Sequence, residues 1–235
     1  MANQINFYYY KPIYLKILVC VLILAGLIIN IFSFKPLTME FLAYFPFLIN
    51  FLLLICLLTK IFIYFVNVKN KVFNKSNFLD ICLLSLIQCL GLIAILYIFV
   101  LYPYLLFNGK GILIFNTGSI FLNVLVPFFC FLDLFLNNYL VANNKNSIAL
   151  SQILLGIYFI SVVVLTGNNF KFSLVNVPFL QIKNVSNFCF ALKMGYVGLF
   201  YWYLMALLLL LGISILMIVI LNKIERKRMS NFVYY

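Results

Sequence analysis

Six apolar stretches dominate this chain, at residues 13–34, 38–66, 78–102, 112–136, 147–166 and 194–221. A helix rises about 1.5 Å per residue, so about 20 apolar residues cross a hydrocarbon layer about 30 Å thick. Inside lipid the backbone must satisfy its own hydrogen bonds, and a helix does this within one segment. Composition agrees: 67% of residues are hydrophobic and 9% charged, against about 25% charged in a soluble domain. The expected fold is all-α: a polytopic membrane helix bundle of about six transmembrane helices, one integral domain over 1–235, multi-pass in the cell membrane. The first run lacks a small-residue cleavage site and more spans follow it, so it reads as a retained span rather than a secretory signal.

The fourth stretch, Ile112–Leu136, is apolar yet carries Asn116, Ser119, Asn123, Pro127, Cys130 and Asp133. At about 100° per residue these six positions fall within about 120° of one another. An unpaired polar group in hydrocarbon costs several kcal/mol, so the stripe is expected to face other helices or a wet cavity. The other spans are expected to pack around it. The stripe serves binding, or it serves packing through interhelical hydrogen bonds.

Charge sets the expected topology. The net charge is +12, from 16 Lys and Arg against four acidic residues. With both tails cytoplasmic, Lys11, Lys16, Lys60, Lys69, Lys71, Lys75, Lys145, Lys223, Arg226, Lys227 and Arg228 fall inside. Lys35, Lys110, Lys171, Lys183 and Lys193 fall outside. The positive-inside rule therefore favours both termini in the cytoplasm. The cations read as topology signals and contacts to membrane lipids. No basic patch interleaved with exposed aromatics points to nucleic acid. Pro46 is expected to kink the second span near its outer end.

The chain has no histidine, which removes the commonest general base and metal ligand. Its six cysteines contain no CxxC pair, so neither a metal site nor a disulfide framework is expected, and no cofactor is implied. In the favoured topology Lys60, Asp80 and Asp133 lie near the cytoplasmic ends of spans two, three and four. Lys60 is then an ion partner for the carboxylates, in a proton relay or a polar mouth to a substrate cavity. In the other reading each charge reaches the headgroups from a helix end, as a snorkelling lysine does.

Several stretches resemble, in order, the YwaF-like family of bacterial polytopic membrane proteins. Phe78-Leu79-Asp80-Ile81-Cys82-Leu83-Leu84-Ser85 is similar to a family segment with Cys82 kept and Asp80 in place of a histidine. Gly118-Ser119-Ile120 through Pro127, Gly167-Asn168-Asn169-Phe170 and Tyr201-Trp202-Tyr203 echo further elements. The resemblance implies acyl transfer on membrane lipid, with Cys82 as the acyl-accepting nucleophile and Asp80 beside it. With the family's histidines missing, it equally implies a catalytically degenerate member, so enzyme and non-enzyme both stay open. A second class is the substrate-binding membrane subunit of an energy-coupling-factor vitamin importer. In that class the 167–193 loop and the polar stripe would form an outward pocket.

Overall fold

The computed structural model describes residues 2–33, 45–70, 77–101, 117–136, 145–167 and 196–232. These form six helices: α1 (Ala2–Ser33), α2 (Phe45–Asn70), α3 (Asn77–Leu96, continued by a π-helical turn Tyr97–Leu101), α4 (Thr117–Ile120, a π-helical turn Phe121–Leu125, then Val126–Leu136), α5 (Lys145–Gly167) and α6 (Tyr196–Phe232). Every described residue is helical. Four helices are long and apolar enough to cross a membrane, through Ile13–Asn30, Phe45–Val66, Phe78–Phe99 and Tyr203–Ile224, and Phe121–Leu136 is a shorter apolar helix.

The helix ends differ from the sequence-based expectation in three places. α1 begins at Ala2 and runs through Pro12; proline removes one donor from the ladder, and here that does not end the helix. Pro46 lies in the first turn of α2, where a missing N–H costs nothing, so it opens the helix instead of kinking it. α6 continues to Phe232, past the apolar run, because Lys223 to Met229 are good helix formers and nothing in them breaks the ladder.

The hub is α3, and α4 is not the element that the rest surround. α3 packs against α2, α4, α5 and α6, while α4 packs against α1, α2 and α3. Residues 83–93 of α3 are all buried. Ser85, Gln88 and Cys89 are each 0% exposed, so both of its polar faces are turned inward. Ser85 Oγ lies 3.0 Å from the Ser147 carbonyl of α5, sharing its proton between that oxygen and the Ile81 carbonyl of its own helix, and Gln88 Nε2 donates to Ser147 Oγ at 3.2 Å. The Cys89 thiol lies 3.9 Å from the Ser151 carbonyl. Pairs 85/147 and 89/151 share one offset, so α3 and α5 run parallel.

α1 and α4 run antiparallel in close contact. A methyl group on Gly26 would come within 2.7 Å of the Leu122 side chain, and one on Gly118 within 2.8 Å of Asn30. Small residues let two backbones approach this closely, the usual device between membrane helices. Asn30 itself is tied down, donating from Nδ2 to the Gly26 carbonyl at 2.9 Å.

The π turn in α4 has a local cause. The Val126 N–H bonds the Phe121 carbonyl, five residues back. In that register the Leu122 carbonyl would take its donor from residue 127, a proline with no N–H. Asn50 of α2 reaches across, and its Nδ2 lies 3.4 Å from the Leu122 oxygen. The wider turn also shifts the phase of the helix. The buried residues of α4 include Gly118, Leu122, Val126, Cys130 and Leu134, at every fourth position, together with Pro127 and Asp133. Of the stripe drawn at 100° per residue, Pro127, Cys130 and Asp133 are buried and Asn123 is half-buried, so its second half is inward and the buried face also takes in Gly118, Leu122, Val126 and Leu134.

Candidate functional site

One end of the bundle holds four charged side chains from four helices. Lys16 of α1 donates from Nζ to both carboxylate oxygens of Asp133 on α4, at 3.1 and 3.0 Å. Lys60 of α2 bonds and ion-pairs with the Asp80 carboxylate of α3. The exposures grade the two pairs: 12% and 4% for Lys16 and Asp133, 16% and 21% for Lys60 and Asp80. Lys16 also lies within electrostatic reach of Lys60 and Asp80. The contacts α1–α2, α2–α3, α3–α4 and α4–α1 close a ring of helices, with one of these charges on each.

Helix geometry explains the convergence. Lys16 and Asp80 lie near the starts of the apolar parts of α1 and α3, and Lys60 and Asp133 near the ends of α2 and α4. Antiparallel neighbours bring those positions to one level. Asp80 is in the first turn of α3, where the helix dipole favours an anion. An isolated charge at the centre of a membrane helix costs about 2.5–3.5 kcal/mol on insertion scales, so charges in such helices pair. Together the four groups carry no net charge. Each carboxylate is held by an ammonium from a neighbouring helix, and the two pairs tie α1 to α4 and α2 to α3.

Of the residues singled out by sequence, Lys60, Asp80 and Asp133 do lie in this charged end. Lys16 is the member that sequence reasoning missed. The signal was charge balance: two intramembrane carboxylates want two cations, and Lys16 is the other lysine at that depth. Cys82 is half-buried and packs against the core. Among the described residues no group hydrogen-bonds its thiol. A second thiol, Cys56, lies 3.9 Å from the Leu79 carbonyl.

On α4, Pro127, Cys130 and Asp133 are buried. Asn123 is half-buried, and its Oδ1 has no hydrogen-bond partner. Ser119 is helical, and Asn116 lies outside the described residues. The 167–193 loop that an importer subunit would use also lies outside them, apart from Gly167. Tyr203 of α6 stacks on Phe159 of α5 with ring centroids 4.2 Å apart. Among the described residues no group of three or more His, Cys, Asp or Glu side chains could hold a metal ion. No protein-family model, curated protein or solved structure matches the chain.

Proposed function

We propose that this chain is a six-span protein of the cell membrane, with both tails cytoplasmic, resembling YwaF-like proteins without their acyl-transfer chemistry. Its charged end fastens helices together and does not activate a nucleophile. The observation that carries the reading is the Lys60–Asp80 ion pair. A catalytic cysteine needs its thiolate, and the thiolate needs a nearby base or cation. Asp80 is the ionisable group nearest Cys82 in the chain, and its carboxylate is paired with Lys60. No histidine exists anywhere in the sequence to replace it.

Membranes containing the protein, incubated with a labelled acyl phospholipid, are expected to show no hydroxylamine-sensitive label on the chain. Label that disappears in Cys82→Ser and persists in Cys89→Ser would establish the transferase and end this proposal. For the topology, reporters fused after Lys75, Lys145 and Lys223 are expected in the cytoplasm. Those after Lys110 and Lys183 are expected outside, and a cytoplasmic reporter after Lys110 overturns the six-span arrangement.

A further inference from the structure

A second polar locus lies where α3, α5 and α6 meet. Gln88 of α3, Ser147 of α5 and Ser214 of α6 are each 0% exposed. Gln88 Nε2 donates to Ser147 Oγ at 3.2 Å. Gly91, one turn along α3 from Gln88, packs against Ile213, the neighbour of Ser214: a methyl group on Gly91 would be 3.1 Å from Ile213 Cγ2. The three polar residues therefore lie within about one helical turn, about 5 Å, of one level.

Two atoms at this junction have no hydrogen-bond partner: Gln88 Oε1 and Ser214 Oγ. Ser214 breaks a pattern. Thr59, Ser85, Ser151 and Ser161 each donate to a carbonyl three or four residues back in their own helix, at 2.7–2.8 Å. Ser214 makes no such bond, although it is as fully buried as Ser85 and Ser151. Its hydroxyl needs an acceptor, and Gln88 Oε1 needs a donor. A buried polar group left unsatisfied costs a few kcal/mol, so an occupant that supplies both is strongly favoured.

The buried seam of α6 reads Leu210, Ser214, Met217 and Leu221, so a serine takes a position otherwise filled by large apolar side chains. On α5, Ser147 and Ser151 stand in a seam with Leu155 and Tyr158.

We propose that this three-helix junction binds one internal water molecule. The water donates to Gln88 Oε1, accepts from the Ser214 hydroxyl, and has Ser147 Oγ as a third neighbour. Internal waters typically make about three hydrogen bonds to otherwise unsatisfied groups. The junction gives α6, whose other buried seam residues Leu210, Met217 and Leu221 are apolar, a directional tie to α3.

The test uses the full chain in bilayers of perdeuterated lipid, with glutamine labelled by nitrogen-15. Solid-state NMR then reads magnetisation transfer from water to each side-chain amide. Gln88 is identified by the resonance lost in Gln88→Met. Transfer from water to Gln88 is expected in the wild type, retained in Ser214→Thr, and reduced at least twofold in Ser214→Ala. A dry Gln88 in the wild type overturns the proposal whether or not any variant folds. So does equal transfer in wild type and Ser214→Ala. In protonated lipid, transfer to Gln88 from lipid in place of water would also overturn it, because the occupant would then be a lipid hydroxyl.

Discussion

Helices α3 and α6 invert the rule that holds in soluble proteins. The apolar stretch of α6, Tyr203–Ile224, has a mean hydropathy of 3.2 and is 22% buried; that of α3, Phe78–Phe99, has 2.6 and is 67% buried. The more apolar helix is the more exposed one. Between bilayer-spanning helices there is no hydrophobic drive, since lipid tails are as apolar as leucine. What selects the interior is close packing and the need of polar groups for partners. α3 carries Asp80, Ser85, Gln88 and Gly91, and each of them finds another helix. α6 offers its seam through Ser214 and leaves Leu208, Leu216 and Val219 outside.

Matched truncations on the two helices should give the largest difference. Leu90 of α3 is 0% exposed and Leu216 of α6 is 59% exposed. Leu90→Ala leaves a cavity among close-packed neighbours and should destabilise by about 2–5 kcal/mol. Leu216→Ala should change stability by less than about 0.5 kcal/mol, as surface substitutions do. Equilibrium unfolding of both purified variants in one detergent checks this. Equal losses would mean that α6 is buried in the native protein, against another chain for example, and the contrast would fail.

The hub was legible in principle. Gln88 and Gly91 lie on one face of the third span and Cys82, Ser85 and Cys89 on another, and a helix with polar groups on two faces has little left to offer lipid. Asp133 and the stripe on the fourth span carry the stronger single-span signal, which masks the two-faced polarity of the third. The ion pairs were half legible: depth placed Lys60, Asp80 and Asp133 together, and only the charge count pointed to Lys16. The π turn was not legible in its consequences. Pro127 was visible, but the one-residue slip in phase depends on the Leu122 carbonyl finding Asn50 on another helix. The same turn lies between the Gly118 and Leu122 contacts with Asn30 and Gly26 and the Asp133 contact with Lys16, so the period of about 3.6 residues drawn on the fourth span did not pick out Gly118 and Leu122.

The smaller contrast is the sharper one, because it adds atoms where the other removes them. A methyl group on Gly91 would stand 3.1 Å from Ile213 Cγ2 and 3.2 Å from Phe131 Cζ, whereas Gly212 has nothing within 4 Å. Both glycines lie inside helices, where replacement by leucine gains helix propensity, roughly 0.8–1 kcal/mol less the small shortfall of leucine against alanine. At Gly212 that gain stands alone, so Gly212→Leu should be neutral or slightly stabilising. At Gly91 the leucine must push α6 and α4 off α3 together, and overpacking typically costs about 1–3 kcal/mol. The net loss for Gly91→Leu should thus be smaller than for Leu90→Ala, and opposite in sign to Gly212→Leu. Thermal unfolding of the pair reads that sign directly. A stabilising Gly91→Leu would mean that α6 is not seated on α3 at Ile213, and the account of α3 as the hub would lose its α6 contact.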